Sequence, residues 1–206
     1  MLQEDRIRDT LLYTWLQRWA RTYVLAPRPR HIGKYGVDSY VRLPRSISGT
    51  RHIEIGDRVM IHSHSWLSAI TRYAGESFTP KIVIGNDVQI GRYVCITSID
   101  RVTIGSDCLF SQYIYISDSA HGMDPMGGLL TEQKLESKGP VEIGAHTFIG
   151  CRAAVLSGVK LGEHCVVGAN AVVTHSFPDY SMVAGCPARL IKTYSPEKKQ
   201  WIAVSD

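Results

Sequence analysis

Residues 141–177 read VEIGAHTFIGCRAAVLSGVKLGEHCVVGANAVVTHSF. Counted in sixes from Ile143, an aliphatic side chain falls at Ile143, Ile149, Val155, Leu161, Val167 and Val173. Glycine follows at 144, 150, 162 and 168. The fifth place of each six is small or apolar: Thr147, Ala153, Val159, Cys165, Ala171 and Phe177. Neither an α-helix nor an ordinary strand has a period of six. Three short flat sides, each turning a corner after six residues, do have it. The stretch therefore predicts an all-β chain wound as a parallel β-helix of hexapeptide repeats.

The same count extends outward from this stretch. A first coil uses Ile55, Ile61 and Leu67, a second Ile84, Ile90 and Ile96, and a third Ile104, Phe110 and Ile116. With the two in the opening stretch this makes about five coils, spanning 53–192. Excursions at 73–83 and 122–140 interrupt them. Glycine, abundant at 18 residues, is expected at the corners, where a missing Cβ lets the backbone turn. Residues 31–52 show no firm period and read as an irregular lead-in that pairs onto the first coil. Residues 193–206 read as a polar C-terminal tail compatible with a helix.

Residues 1–26 place Ile7, Leu11, Leu12, Trp15, Leu16, Trp19 and Tyr23 at helical spacing, and Pro27 and Pro29 end the pattern. This amphipathic helix, with the lead-in, forms an N-terminal segment over 1–52. It can cap the open end of the rod or rest on a bilayer, because ten Lys/Arg face four Asp/Glu across 1–51. Five cysteines without a CxxC pair point to a reducing compartment. The polar first residues do not form a signal peptide, and no apolar run reaches about 18 residues. A cytoplasmic protein is expected, with peripheral contact at the inner membrane face through the basic helix as an additional possibility.

A regular rod offers no cleft, so chemistry is expected where the repeat is interrupted. The richer interruption opens at His121, and an imidazole with an ordinary pKa of about 6.5 suits general-base work. Asp118, Asp124 and Glu132 are near enough in sequence to orient it. His146 and His164 occupy fourth places and are expected to be solvated. His62 and His64 read as an unliganded pair. No zinc-type His/Cys spacing, P-loop or GxSxG is present, and no basic-aromatic platform suggests nucleic acid. The expectation is therefore no metal and no nucleic acid.

The run from Val141 through GANAVVTHSFPDYSMVAGCPARLIK resembles the hexapeptide-repeat acetyltransferases, with the resemblance covering about 50–192. The likeness is greatest to the galactoside and maltose O-acetyltransferases and those of bacterial surface polysaccharides. It implies a left-handed coil, a homotrimer, and acetyl-CoA lying between neighbouring rods. By this resemblance His121 is the catalytic base; Asp118 is a candidate to orient it through nearness in sequence alone. Cys151, Ala169, Thr174, His175, Arg189 and Lys192 match positions lining the cofactor groove. Gly150 and Gly168 would let the pantetheine arm lie close to the backbone. Phe148 stands where the family usually has Trp, and His175 where it usually has Lys. The acceptor positions of the galactoside enzymes align with Gly91 and Ile99, so Asp100 and Asp124 become the substrate candidates. The implied activity is O-acetylation of a sugar hydroxyl on a surface glycan or its precursor. N-acetylation of an amino-sugar nucleotide and a non-catalytic scaffold are the alternatives.

Overall fold

A computed structural model describes residues 31–204; the helix expected over 1–26 lies outside them. Within the described residues the chain winds into three parallel faces. Face one stacks Tyr35, Ile55, Ile84, Ile104, Ile143 and Leu161 in register. Face two stacks Val41, Ile61, Ile90, Phe110, Ile149, Val167 and Val183. Face three stacks Ile47, Leu67, Ile96, Ile116, Val155 and Val173. From Ile53 onward these ladder residues are buried to 2% exposure or less. A two-residue strand cannot hold itself; each rung persists because its inward side chain, worth about 1.5–3 kcal/mol when buried, stacks on the next.

The lead-in differs from its expected form. Lys34–Tyr35, Tyr40–Val41 and Ser46–Ser48 form a complete coil, so six coils stand where five were counted. Tyr35, Val41 and Ile47 keep the step of six, but the 3-10 turn Thr50–His52 adds two residues before Ile55. Counting backward from Ile55 therefore falls out of phase. The tail also departs from a helical reading. Ser181–Gly185 continues face two, and Ala188–Ser195 and Gln200–Ala203 fold back on it antiparallel. An unpaired strand edge at the last coil attracts such a covering.

The corners separate two properties that sequence assigned to glycine together. In coils one to five, positive φ falls on the fourth place of the sixes at two of the three corners, on Arg58, Asp87, Asp107, His146 and His164 at one and on His64, Tyr93, Tyr113, Arg152 and Asn170 at the next. None is glycine. The left-handed conformation costs roughly 1–2 kcal/mol per residue. Each of these residues donates its N–H to the coil before it, as in His164 N–H to Ala145 O at 2.9 Å and Asn170 N–H to Cys151 O at 2.8 Å. Such a bond returns roughly 0.5–1.5 kcal/mol, which offsets much of the strain. The glycines at the second place serve close approach instead: a Cβ on Gly144 would run into the Gly162 backbone. His146 and His164 are also less solitary than expected. Their rings stack at 4.5 Å, and His164 stacks on Tyr180 at 5.0 Å.

Candidate active site

Both excursions leave the rod at one corner, between faces three and one. The first is a tight hairpin, Arg72–Tyr73 against Glu76–Ser77, turned by Ala74 and Gly75 at φ 47° and 82°. The second leaves two coils later. It opens as a ribbon in which Ala120–His121 pairs antiparallel with Leu135–Glu136. Coil two turns the same corner without an excursion, so residues 98–101 lie between the two projections.

His121 is exposed at the second rung of that ribbon, opposite Leu135, and its ring meets the Tyr73 ring nearly edge-on, with centroids 5.2 Å apart. The Tyr73 hydroxyl reaches further and donates to the Thr131 carbonyl at 3.1 Å. Inside the loop, Gln133 and Asp124 exchange a reciprocal pair. The Asp124 N–H donates to Gln133 Oε1 and Gln133 Nε2 donates to the Asp124 carbonyl, both at 2.9 Å. The Asp124 carboxylate accepts from Met126 N–H and so closes a local turn.

Asp118 takes a different position from the one beside His121 that sequence suggested. It is fully buried, and its carboxylate accepts from Ser98 Oγ at 2.7 Å and from the N–H groups of Ile99 and Asp100 at 2.9 Å. These three donors belong to coil two, and no bond joins Asp118 to His121 among the described residues. Ser157, at the coil-four corner, holds both stems of the loop. Its hydroxyl donates to the Asp118 carbonyl at 2.6 Å and accepts from Lys138 N–H at 2.7 Å. Asp100 is exposed on the coil-two corner, below His121. Glu132, the third carboxylate considered for the imidazole, is exposed in the 3-10 turn Leu130–Glu132.

The cofactor candidates divide between corners. Thr174 and His175 are exposed at the same corner as His121, two coils on, with Thr174 Oγ1 3.4 Å from His175 Nδ1. Gly150, Cys151, Gly168 and Ala169 lie at the corner between faces two and three. Arg189 and Lys192 are exposed on Ala188–Ser195, the strand that extends face two. One chain therefore does not gather all eight. Tyr73 was missed in the sequence, since its partners are distant in the chain and its hairpin carries no repeat signal.

Residues 140–175 match the family of bacterial transferase hexapeptide repeats (six repeats). A protein of Escherichia coli strain K12, named as the lipopolysaccharide biosynthesis O-acetyl transferase WbbJ, is 32% identical over 186 residues, covering 82% of this chain and 95% of WbbJ. The chain belongs to the hexapeptide-repeat acetyltransferases. A second relative, named as the acetyltransferase Rv3034c of Mycobacterium tuberculosis, is 35% identical over 69% of this chain, which spans 42% of that protein. Among solved structures, AntD, an N-acyltransferase from Bacillus cereus in complex with dTDP and 3-hydroxybutyryl-CoA, superposes with a TM-score of 0.66 at 20% identity. The overlap is 82% of this acetyltransferase and 86% of AntD. A maltose O-acetyltransferase from Clostridium difficile 630 gives 0.52 at 20% identity, over 81% of this chain and 72% of that one. These likenesses are of fold: the left-handed parallel β-helix of the family.

Proposed function

We propose that this acetyltransferase moves the acetyl group of acetyl-CoA onto a hydroxyl of a sugar in a surface glycan or its precursor, with His121 as general base. The match to WbbJ across 95% of that protein carries this reading. His121 accepts the hydroxyl proton as the oxygen attacks the thioester carbonyl. The C–S bond then breaks, and the proton passes to the departing CoA thiolate. Asp118 acts at one remove, by fixing the backbone from which the loop departs. Asp100 and Asp124 face the acceptor from coil two and from the loop.

The cofactor set closes only when a second rod is placed alongside. A homotrimer supplies that arrangement, and the outer surface supports it. Face one is charged outside, with Lys81–Glu54 at 2.9 Å and Lys160–Glu142 at 3.1 Å. Faces two and three instead expose Leu109, Phe148, Trp66 and Tyr115 at 39–48%, with Tyr93 and Tyr113 stacked on the corner between them. In the groove, the pantetheine arm lies beside Cys151, Ala169, Thr174 and His175; Gly150 and Gly168 act at one remove, since a Cβ on either would meet the next coil rather than the groove. Arg189 and Lys192 face the adenosine phosphates. No helix among the described residues is long and apolar enough to cross a membrane. A cytoplasmic enzyme, held at the inner membrane face by residues 1–26, fits a lipid- or nucleotide-linked precursor.

The test is thiol release from acetyl-CoA against paired hydroxyl and amine sugar acceptors, with mass spectrometry of the product. His121→Ala is expected to lower turnover by about 10² to 10⁴ while equilibrium binding of CoA is retained. Full turnover in that variant removes His121 from the role. Acetylation of the amine alone replaces O-transfer with N-transfer.

A further inference from the structure

Tyr73 stands apart from every residue assigned so far. It belongs to the coil-one hairpin, yet it touches the coil-three loop at two separate points. Its ring lies against the His121 ring, and its hydroxyl is bonded to Thr131, 58 residues away in sequence. One contact falls where the loop leaves the rod and the other in the turn Leu130–Glu132, just before the loop returns. The hairpin has little else to do in the fold, since it projects outside the stacked faces and Glu76 and Ser77 are exposed. Its turn has open space around it: a Cβ on Gly75 would meet nothing within 4 Å.

We propose that Tyr73 is a positioning residue for acetyl transfer, its ring fixing the rotamer of the His121 imidazole and its hydroxyl tying down the turn at Thr131. The inference rests on His121 being the base. An exposed histidine otherwise samples several rotamers, and a base displaced by about 1 Å can lose two orders of magnitude in rate. Among the described residues this is the one aromatic contact on the imidazole, and it therefore bears directly on turnover. The two contacts divide by chemistry: the ring acts on the base and the hydroxyl acts on the loop that frames the acceptor.

The full-length protein and its Tyr73→Ala and Tyr73→Phe variants test this, with His121 signals assigned by difference from His121→Ala. Two readouts need no acceptor: the imidazole ¹H–¹³C correlations of His121 and its rate of carbethoxylation by diethyl pyrocarbonate. In Tyr73→Ala the His121 signals are expected to shift and carbethoxylation to accelerate severalfold, with kcat for acetyl transfer down about tenfold. Tyr73→Phe keeps the ring and is expected to restore the imidazole signals and most of kcat, leaving a raised KM for the acceptor. Unchanged His121 signals and reactivity in Tyr73→Ala would overturn the proposal, as would a Tyr73→Phe variant indistinguishable from Tyr73→Ala. Full turnover in His121→Ala also overturns it, by the separate route of removing the base on which it rests.

Discussion

At the scale of single residues, the corner glycines and the inward thiols make the sharpest claims. Gly144→Ala would press a methyl group into the Gly162 backbone, which cannot move without breaking the Gly144 N–H to Leu161 O bond at 2.9 Å. A loss of about 2–4 kcal/mol is expected, in the range for overpacking plus a broken rung, read by chemical denaturation. Cys108 and Cys165 sit inside the corner between faces one and two, where burial pushes the Cys108 thiol up to about 11 and raises Cys165 as well. Burial favours the neutral thiol, so its contribution to stability is whole below the ordinary value of 9.0 and is lost as pH rises towards 11. A urea midpoint that falls between those two pH values is expected, and Cys108→Ser should flatten it. His146 and His164, expected to be solvated, remain partly exposed but also stack on each other. A fourth-place side chain points along the corner, where its neighbour one coil away has the same direction, so like stacks on like.

At the scale of elements, the coil-three loop depends on anchors buried beneath it. Asp118→Asn keeps the shape but puts an N–H₂ group in place of one carboxylate oxygen, against either the Ile99 N–H or the pair formed by Ser98 Oγ and the Asp100 N–H. The expected cost is about 1–3 kcal/mol for the orphaned donors, together with faster proteolytic cleavage within 122–140 while the rod remains resistant. Legibility in the sequence follows the same division. The ladder could be read from Ile55 to Val173 because each rung is a local pattern, repeated in phase. The coil that precedes it, at 34–48, could not be read, because two residues in the turn Thr50–His52 shift that phase. The strands after Ser181 escaped for another reason: they are set by an open sheet edge rather than by their own composition. His121 was legible as the residue at the mouth of an interruption. Its surroundings were not, because Tyr73 arrives from another coil and Asp118 is consumed by donors from coil two.

At the scale of the whole molecule, the three outer faces are chemically unequal, and the inequality predicts assembly. Phe148 is 39% exposed and Leu109 48% exposed, neighbours in register on face two. Phe148→Glu is expected to leave the fold intact, since the side chain points outward, but, under the proposed homotrimer, to sediment as a single chain at one third of the assembled mass. Transfer activity should fall with assembly, because the cofactor candidates sit at different corners. A variant that remains assembled would place the contact on another face.

Having both projections issue from a single edge carries a consequence for how such a protein diversifies. The stacked interior accepts almost no change, while the hairpin tip at Ala74 and Gly75 borders empty space. With the acceptor bound beside His121 as proposed, lengthening or trimming that hairpin would alter what is gripped there and disturb no rung. Selectivity for different sugars is thereby open to insertion and deletion at one site, independently of the architecture that keeps the chain folded.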